Sequence, residues 1–144
     1  FTIPYDLPNS EAYAETCAAI ALAFFCERLA KTGNSAAYHA VLERALYNNI
    51  LAGESLDGKC FYYVNPLEAD AKYADYAHTV AGIPFKPLLE RVEVFDCSCC
   101  PPNLVRLFAQ VGGFAYGEEE GVLYVHQYIS SEVEACGLKL SLET

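Results

Sequence analysis

Three of the chain's seven cysteines crowd into four positions, at Cys97, Cys99 and Cys100, and Pro101, Pro102 and Asn103 follow at once. Adjacent cysteines rarely bond to each other, because the intervening peptide strains the ring away from ordinary disulfide geometry. Two thiols at one spot point to a soft metal, a reactive thiol, or both. The two prolines suit the first turn of a helix, where no backbone donor is needed. A helix begun there puts Cys99 and Cys100 at its N-terminus, where unpaired N–H groups and the dipole favour a thiolate. The competing reading makes Cys97, Cys99 and Cys100 small buried apolar residues, as free cysteines often are.

Glu15 and Cys17, in Tyr13-Ala14-Glu15-Thr16-Cys17, form a second candidate pair. Carboxylate oxygen and thiolate sulfur both suit zinc. On one continuous helix, residues two apart point about 200° away from each other and cannot share an ion. They converge only if the backbone is extended or irregular at Glu15 and the helix begins near Thr16. Otherwise Glu15 faces solvent from a helix and Cys17 joins the core. His39, His78 and His126 share no metal-ligand spacing and read as structural or exposed, and Cys26, Cys60 and Cys136 as packing residues. No P-loop, dinucleotide-binding glycine motif or serine nucleophile elbow occurs, nor a Cys-x-x-Cys pair of the kind that zinc ribbons or thioredoxin-like proteins carry.

The elements that must position these residues can be read from periodicity. Pro4 and Pro8 mark an extended start that ends in a helix signal. From Thr16 to about Lys31, Cys17, Ile20, Ala21, Phe24, Phe25 and Leu29 follow helical spacing, and Gly33 stops the helix. Asn34 or Ser35 caps a second helix carrying Tyr38, Val41, Leu42, Ala45, Leu46 and Ile50, ended by Gly53. The short link predicts an antiparallel pair. Cys60 to Val64 reads as a short strand closed by Asn65-Pro66. Glu68 to Ala81 fits a weak helix or an ordered loop, and Pro84 and Pro87 predict irregular chain to about Leu88. Leu104, Val105, Leu107, Phe108 and Val111 line the helix after the prolines, with Gly112-Gly113 as its end. The period then changes near residue 117. Val122 to Ile129 reads as one strand, and alternating Leu138, Leu140 and Leu142 as a second.

Composition narrows the functional classes. The 144 residues suit one ordinary domain, and 53% hydrophobic content is ample for a core. Nineteen acidic against nine basic side chains give a net charge of −10, which argues against a nucleic-acid partner. Glu118-Glu119-Glu120 reads as a solvated turn. No apolar run is long enough to span a bilayer, so no membrane partner is expected. An odd, scattered set of cysteines disfavours a paired secreted framework and favours a reducing, cytoplasmic compartment. With no Met anywhere and no signal peptide at Phe1-Thr2-Ile3-Pro4, the chain reads as a piece of something longer.

Tyr13-Ala14-Glu15-Thr16-Cys17-Ala18-Ala19-Ile20 together with Cys99-Cys100-Pro101-Pro102-Asn103 resembles glycoside hydrolase family 127, the β-L-arabinofuranosidases. Phe61 to Leu67 and Val122 to Val125 also look like segments of that family. The resemblance implies a retaining glycosidase with a cysteine nucleophile and a carbohydrate substrate. It implies Zn²⁺ ligated by Glu15, Cys17, Cys99 and Cys100, with Cys99 also the nucleophile, and Tyr63 lining the sugar site. Cys97 receives no role. The implied fold is mainly α: residues 1–116 would be later helices of an (α/α)₆ barrel, and residues 117–144 the first strands of a β-sandwich. The family's acid/base glutamate falls just upstream of the segment matching Phe1. The chain also departs from the family at Val94, where relatives tend to carry tryptophan. Two other readings stay open: a non-catalytic helical module with a structural zinc or buried thiols, and a redox switch pairing Cys97 with Cys99 or Cys100.

Overall fold

Helix α1 (Thr16–Ala30) starts one residue past an extended Glu15, whose φ is −66° and ψ 134°. The computed structural model describes residues 5, 9, 13–33, 35–69, 78–80, 83–85, 89–93 and 97–144, with 78–80 and 83–85 described through the backbone. At its far end α1 unwinds through bonds from Thr32 N to Leu29 O and Gly33 N to Ala30 O, and Glu27 pairs with Lys31 one turn on. Helix α2 (Ala36–Ala45) runs into a π-helical turn (Leu46–Ile50) and then the short α3 (Leu51–Gly53). The second helix thus ends at Gly53 as its sequence indicates, but through a widened turn that periodicity does not reveal.

The face that α1 buries differs from the expected stripe. Thr16, Ala19, Ile20, Ala23, Cys26 and Ala30 are buried, whereas Ala21 and Phe25 are exposed. Nearly every position from Cys17 to Cys26 is apolar, so a 3.6-residue period has no polar face against which to register. The structure buries the side lined with alanines, which lets neighbouring helices approach closely. Against that side pack Leu42, Leu46 and Ile50 from α2 and the π turn, and Leu104 and Leu107 from α4 (Cys100–Phe108). Phe114 closes this core and meets Phe24 edge to face, with ring centroids 5.9 Å apart.

Pro101 and Pro102 occupy the first turn of α4, as their missing donors require. Gly112-Gly113 does not end that helix. The chain turns at Ala109–Val111, and the two glycines open a short helix, α5 (Gly112–Ala115). Three two-stranded antiparallel sheets complete the described fold. In the first, β1 (His78–Val80) pairs with β2 (Ile83–Phe85), so Pro84 sits within a strand rather than in irregular chain. A two-stranded ribbon is all edge, where a missing N–H is tolerated. Most of the segment left undecided between helix and loop, residues 70–77 with Ala81, lies outside the described residues, as do Pro87 and Val94. Cys60 to Val64 forms isolated bridges at Phe61 and Val64 instead of a regular strand.

After α5 come two hairpins: β3 (Tyr116–Glu119) with β4 (Val122–Val125), and β5 (Ser131–Ala135) with β6 (Leu138–Leu142). Glu118 and Glu119 are therefore strand residues, and the expected strand to Ile129 stops at Val125. Each hairpin closes through two residues of positive φ, Glu120-Gly121 (51° and 78°) and Cys136-Gly137 (53° and 71°). That is the type I′ geometry matching strand twist, and it makes Cys136 a turn residue. The β3–β4 hairpin is held to the helices by His126, whose ring stacks on His39 at a centroid distance of 3.3 Å. Gly117 makes room, because a Cβ there would lie 2.6 Å from His126 Nε2.

Both rings titrate below the ordinary histidine value. Burial is the main cause for each; Glu27 pulls His39 back up, and His39 pushes His126 further down. Glu27, Lys31, Glu118 and Glu119 line the cavity beside them. The unfolded chain therefore binds more protons as pH drops below the ordinary value of 6.5, and the histidine contribution, fully present above that value, is lost as pH falls from it through the lowered folded values. The melting temperature should fall between pH 7.5 and 5.5, and less steeply in a His39→Phe/His126→Phe variant. Equal pH dependence of the two proteins would contradict this account.

Candidate metal and catalytic site

The site is assembled by the segment around Tyr62–Asn65, which lies against the start of α1. Thr16 N donates to Tyr63 O at 3.0 Å and Asn65 N to Ala14 O at 2.9 Å, making an antiparallel bridge between Glu15 and Val64. These bonds give the first residues of the helix partners outside it, so Glu15 has no need of helical geometry. The Thr16 side chain is fully buried. Its hydroxyl donates to Tyr62 O at 2.6 Å and accepts from Asn65 Nδ2 at 3.0 Å. Asn65 Nδ2 also reaches Asn49 Oδ1 at 3.2 Å, and Asn49 belongs to the π turn. Gly53 backs this network, since a Cβ there would lie 3.1 Å from Thr16 Oγ1 and 3.2 Å from Asn65 Nδ2.

With α1 starting at Thr16, Cys17 faces the N-terminus of α4. Its Sγ lies 3.2 Å from Cys99 Sγ and 3.5 Å from Cys100 Sγ, and the latter two are 3.9 Å apart. All three are free thiols. Glu15 Oε1 is 3.9 Å from Cys99 Sγ, and Glu15 Oε2 accepts a hydrogen bond from Tyr13 OH at 2.9 Å. Tyr13 in turn hydrogen-bonds Tyr63. The structure thus brings Cys17, Cys99 and Cys100 together, with the Glu15 carboxylate at the Cys99 edge of the group and Tyr63 nearby. Cys97 is exposed and hydrogen-bonds Cys99 from outside the three-sulfur group. His39 and His126 stack on each other elsewhere, and the side chain of His78 lies outside the described residues.

Burial pushes the Cys99 and Cys100 thiols up, and the adjacent Cys17 sulfur pushes both further. This opposes the pull of the helix N-terminus on the thiolate. Burial also raises the Tyr63 hydroxyl, with the Tyr13 hydrogen bond and the Glu15 charge adding to it. The two vicinal cysteines differ in access: Cys100 is 0% exposed, whereas Cys99 is only partly covered.

Two participants were not singled out from sequence. Tyr13 precedes Glu15 by two in extended chain, and alternate residues of extended chain share a side. Asn103 follows Cys100 by three on a helix, hence on the same face. Its Nδ2 lies 3.1 Å from Cys17 Sγ.

Residues 1–113 match the sequence profile of the β-L-arabinofuranosidase GH127 catalytic domain. The chain belongs to this family. A non-reducing end β-L-arabinofuranosidase of Bifidobacterium longum subsp. longum is 41% identical over 143 residues, which are 96% of this chain and 21% of that protein. The crystal structure of a GH127 β-L-arabinofuranosidase from Geobacillus stearothermophilus T6 matches with a TM-score of 0.82 at 44% identity, over 100% of this chain and 22% of the other. A second solved GH127 β-arabinofuranosidase matches at 0.76 and 37% identity, over 96% of this chain and 20% of the other. This GH127 chain therefore spans about a fifth of the relatives it matches. No helix among its described residues is long and apolar enough to cross a membrane.

Thr16→Val in this GH127 chain keeps the volume but leaves Tyr62 O and the Asn65 amide without their shared buried partner. Urea denaturation should show a loss of about 1–3 kcal/mol, with Thr16→Ser close to the parent. An unchanged midpoint for Thr16→Val would remove the network from the account.

Proposed function

We propose that this chain carries the nucleophile and the metal ligands of a retaining glycosidase acting on β-L-arabinofuranosides or related furanosides. The observation that carries the proposal is the convergence of Cys17, Cys99 and Cys100 with the Glu15 carboxylate at their edge. The donor set fits zinc. Arms of about 2.3 Å at a tetrahedral ion put sulfurs about 3.8 Å apart, and the observed separations run from 3.2 to 3.9 Å. Glu15, Cys17, Cys99 and Cys100 would hold the ion, and Tyr13 would fix the orientation of the Glu15 carboxylate. Zinc, when bound, would keep the cysteine sulfurs deprotonated at neutral pH.

On this reading Cys99 attacks the anomeric carbon. A carbon–sulfur bond forms as the glycosidic carbon–oxygen bond breaks, and the leaving oxygen takes a proton from the general acid. Water then displaces the sulfur from the anomeric carbon while giving a proton back to the group that acted as general acid, yielding the free sugar with net retention and returning Cys99 as a thiolate. Tyr63, hydrogen-bonded to Tyr13 near Cys99, would contact the sugar. Four donors would equally close a structural zinc shell; the partial exposure of Cys99, set against the full burial of Cys100, favours the catalytic reading. We assign residues 1–116 to the later part of an (α/α)₆ barrel and residues 117–144 to the start of a β-sandwich. On the same reading the acid/base glutamate is not among these residues, and the 144-residue chain by itself should bind zinc without turning over substrate.

In an enzyme carrying this chain, Cys99→Ser should lower turnover of an aryl β-L-arabinofuranoside roughly 10³-fold or more, the scale on which loss of a nucleophile acts. Cys17→Ser should lower the zinc stoichiometry. Retained turnover in the first variant would refute the nucleophile, and unchanged zinc in the second would refute the ligand set.

A further inference from the structure

The metal-ligand reading above leaves Asn103 without a role, yet its side chain is held at both ends. Nδ2 lies 3.1 Å from Cys17 Sγ, and Oδ1 accepts from Arg106 Nη2 at 2.7 Å. A guanidinium only donates, so the end of the amide facing Arg106 must be the oxygen. The N–H group is thereby forced toward the sulfur. Arg106 is itself held over the Phe24 ring, 5.5 Å from its centroid and within the reach of about 6 Å over which a cation is attracted to a ring face. Phe24 packs on Phe114 in the core. A line of contacts thus runs from the hydrophobic core through Arg106 and Asn103 to one sulfur of the cluster.

We propose that Asn103 is a positioning residue: its amide donates to Cys17 Sγ, aims that sulfur at the cluster and draws charge from it, while Arg106 locks the amide in the donating orientation. Cys17 is the sulfur that α1 supplies, and it lacks the rigid proline-led turn that fixes Cys99 and Cys100. An outer hydrogen bond therefore has most to do at Cys17. Among residues hydrogen-bonded to metal ligands, substitution typically lowers metal affinity by about 10–100-fold. The inference rests on the metal-ligand reading of the cluster.

Cobalt(II) loaded in place of zinc provides a test independent of turnover, because thiolate-to-cobalt charge-transfer absorption reports the electron density on sulfur. Asn103→Leu keeps the shape and removes the donor. It should shift that band to lower energy and weaken zinc binding by about 10-fold or more in competition with a chromogenic chelator. Arg106→Gln keeps Asn103 but releases its orientation, and should shift the band the same way by less. Asn103→Gln, which retains an amide donor, should recover part of the loss. Parent-like bands and zinc affinity in both Asn103→Leu and Arg106→Gln would overturn the role of Asn103 while leaving the ligand set intact. Absence of any thiolate band in the parent protein would overturn both. Should Asn103→Leu fail to fold by circular dichroism, Arg106→Gln alone decides, by a shifted or an unshifted band.

Discussion

Everything at the cysteine cluster depends on where α1 begins. One more helical residue at its start would turn Glu15 away from Cys17 by about 200°. That outcome is blocked because the Tyr62–Asn65 segment supplies what a helix N-terminus lacks. Tyr63 O takes the Thr16 N–H, Ala14 O takes the Asn65 N–H, and the Thr16 hydroxyl bonds Tyr62 O and the Asn65 amide. Each bond contributes only about 1 kcal/mol net, but a buried polar group left unpaired costs more. Register is therefore set by the penalty for leaving these groups without partners. Extended backbone at Glu15 is the consequence, and the carboxylate lands on the Cys99 side.

The two halves of the cluster are held by different physics. Cys99 and Cys100 are fixed by backbone: prolines in the first turn of α4 leave Asn103 N as the next available donor, and it bonds Cys99 O at 3.4 Å. Cys17 and Glu15 are fixed by side-chain hydrogen bonds and by the packing of α1 on α2 and α4. Leu42, Leu46, Ile50, Leu104 and Leu107 form that packing on the alanine-lined side of α1. The polar network and the apolar core meet at the first turn of the helix. There Thr16 is buried among hydrogen bonds, and Ile20 one turn later is buried among leucines.

Much of this was legible in the residues themselves. The limits of α1, the helix pair ending at Gly53 and the proline-started α4 follow from caps, breakers and spacing. The geometric condition for Glu15 and Cys17 to converge could be stated from helix geometry, and the backbone at Glu15 meets it. What stayed hidden has identifiable causes. The buried side of α1 could not be chosen because the helix is apolar all round. The π turn leaves no signature in a stripe that continues through it. Pro84 misled because a paired ribbon has room for a residue without N–H. Glu118 and Glu119 read as a turn by charge, although the turn chemistry lies in Glu120-Gly121. The His39–His126 stack joins residues far apart in sequence, and nothing local marks it.

Membership in the GH127 family and the crowding of three sulfurs support one proposal, that Glu15, Cys17, Cys99 and Cys100 would hold zinc in a sulfur-rich centre. X-ray absorption at the zinc edge of the metal-loaded protein measures that directly. The account predicts a shell of three sulfurs at about 2.3 Å and one oxygen at about 2.0–2.2 Å, with one sulfur lost in Cys17→Ser. A shell of nitrogen and oxygen alone, or a sulfur count unchanged in that variant, would contradict it.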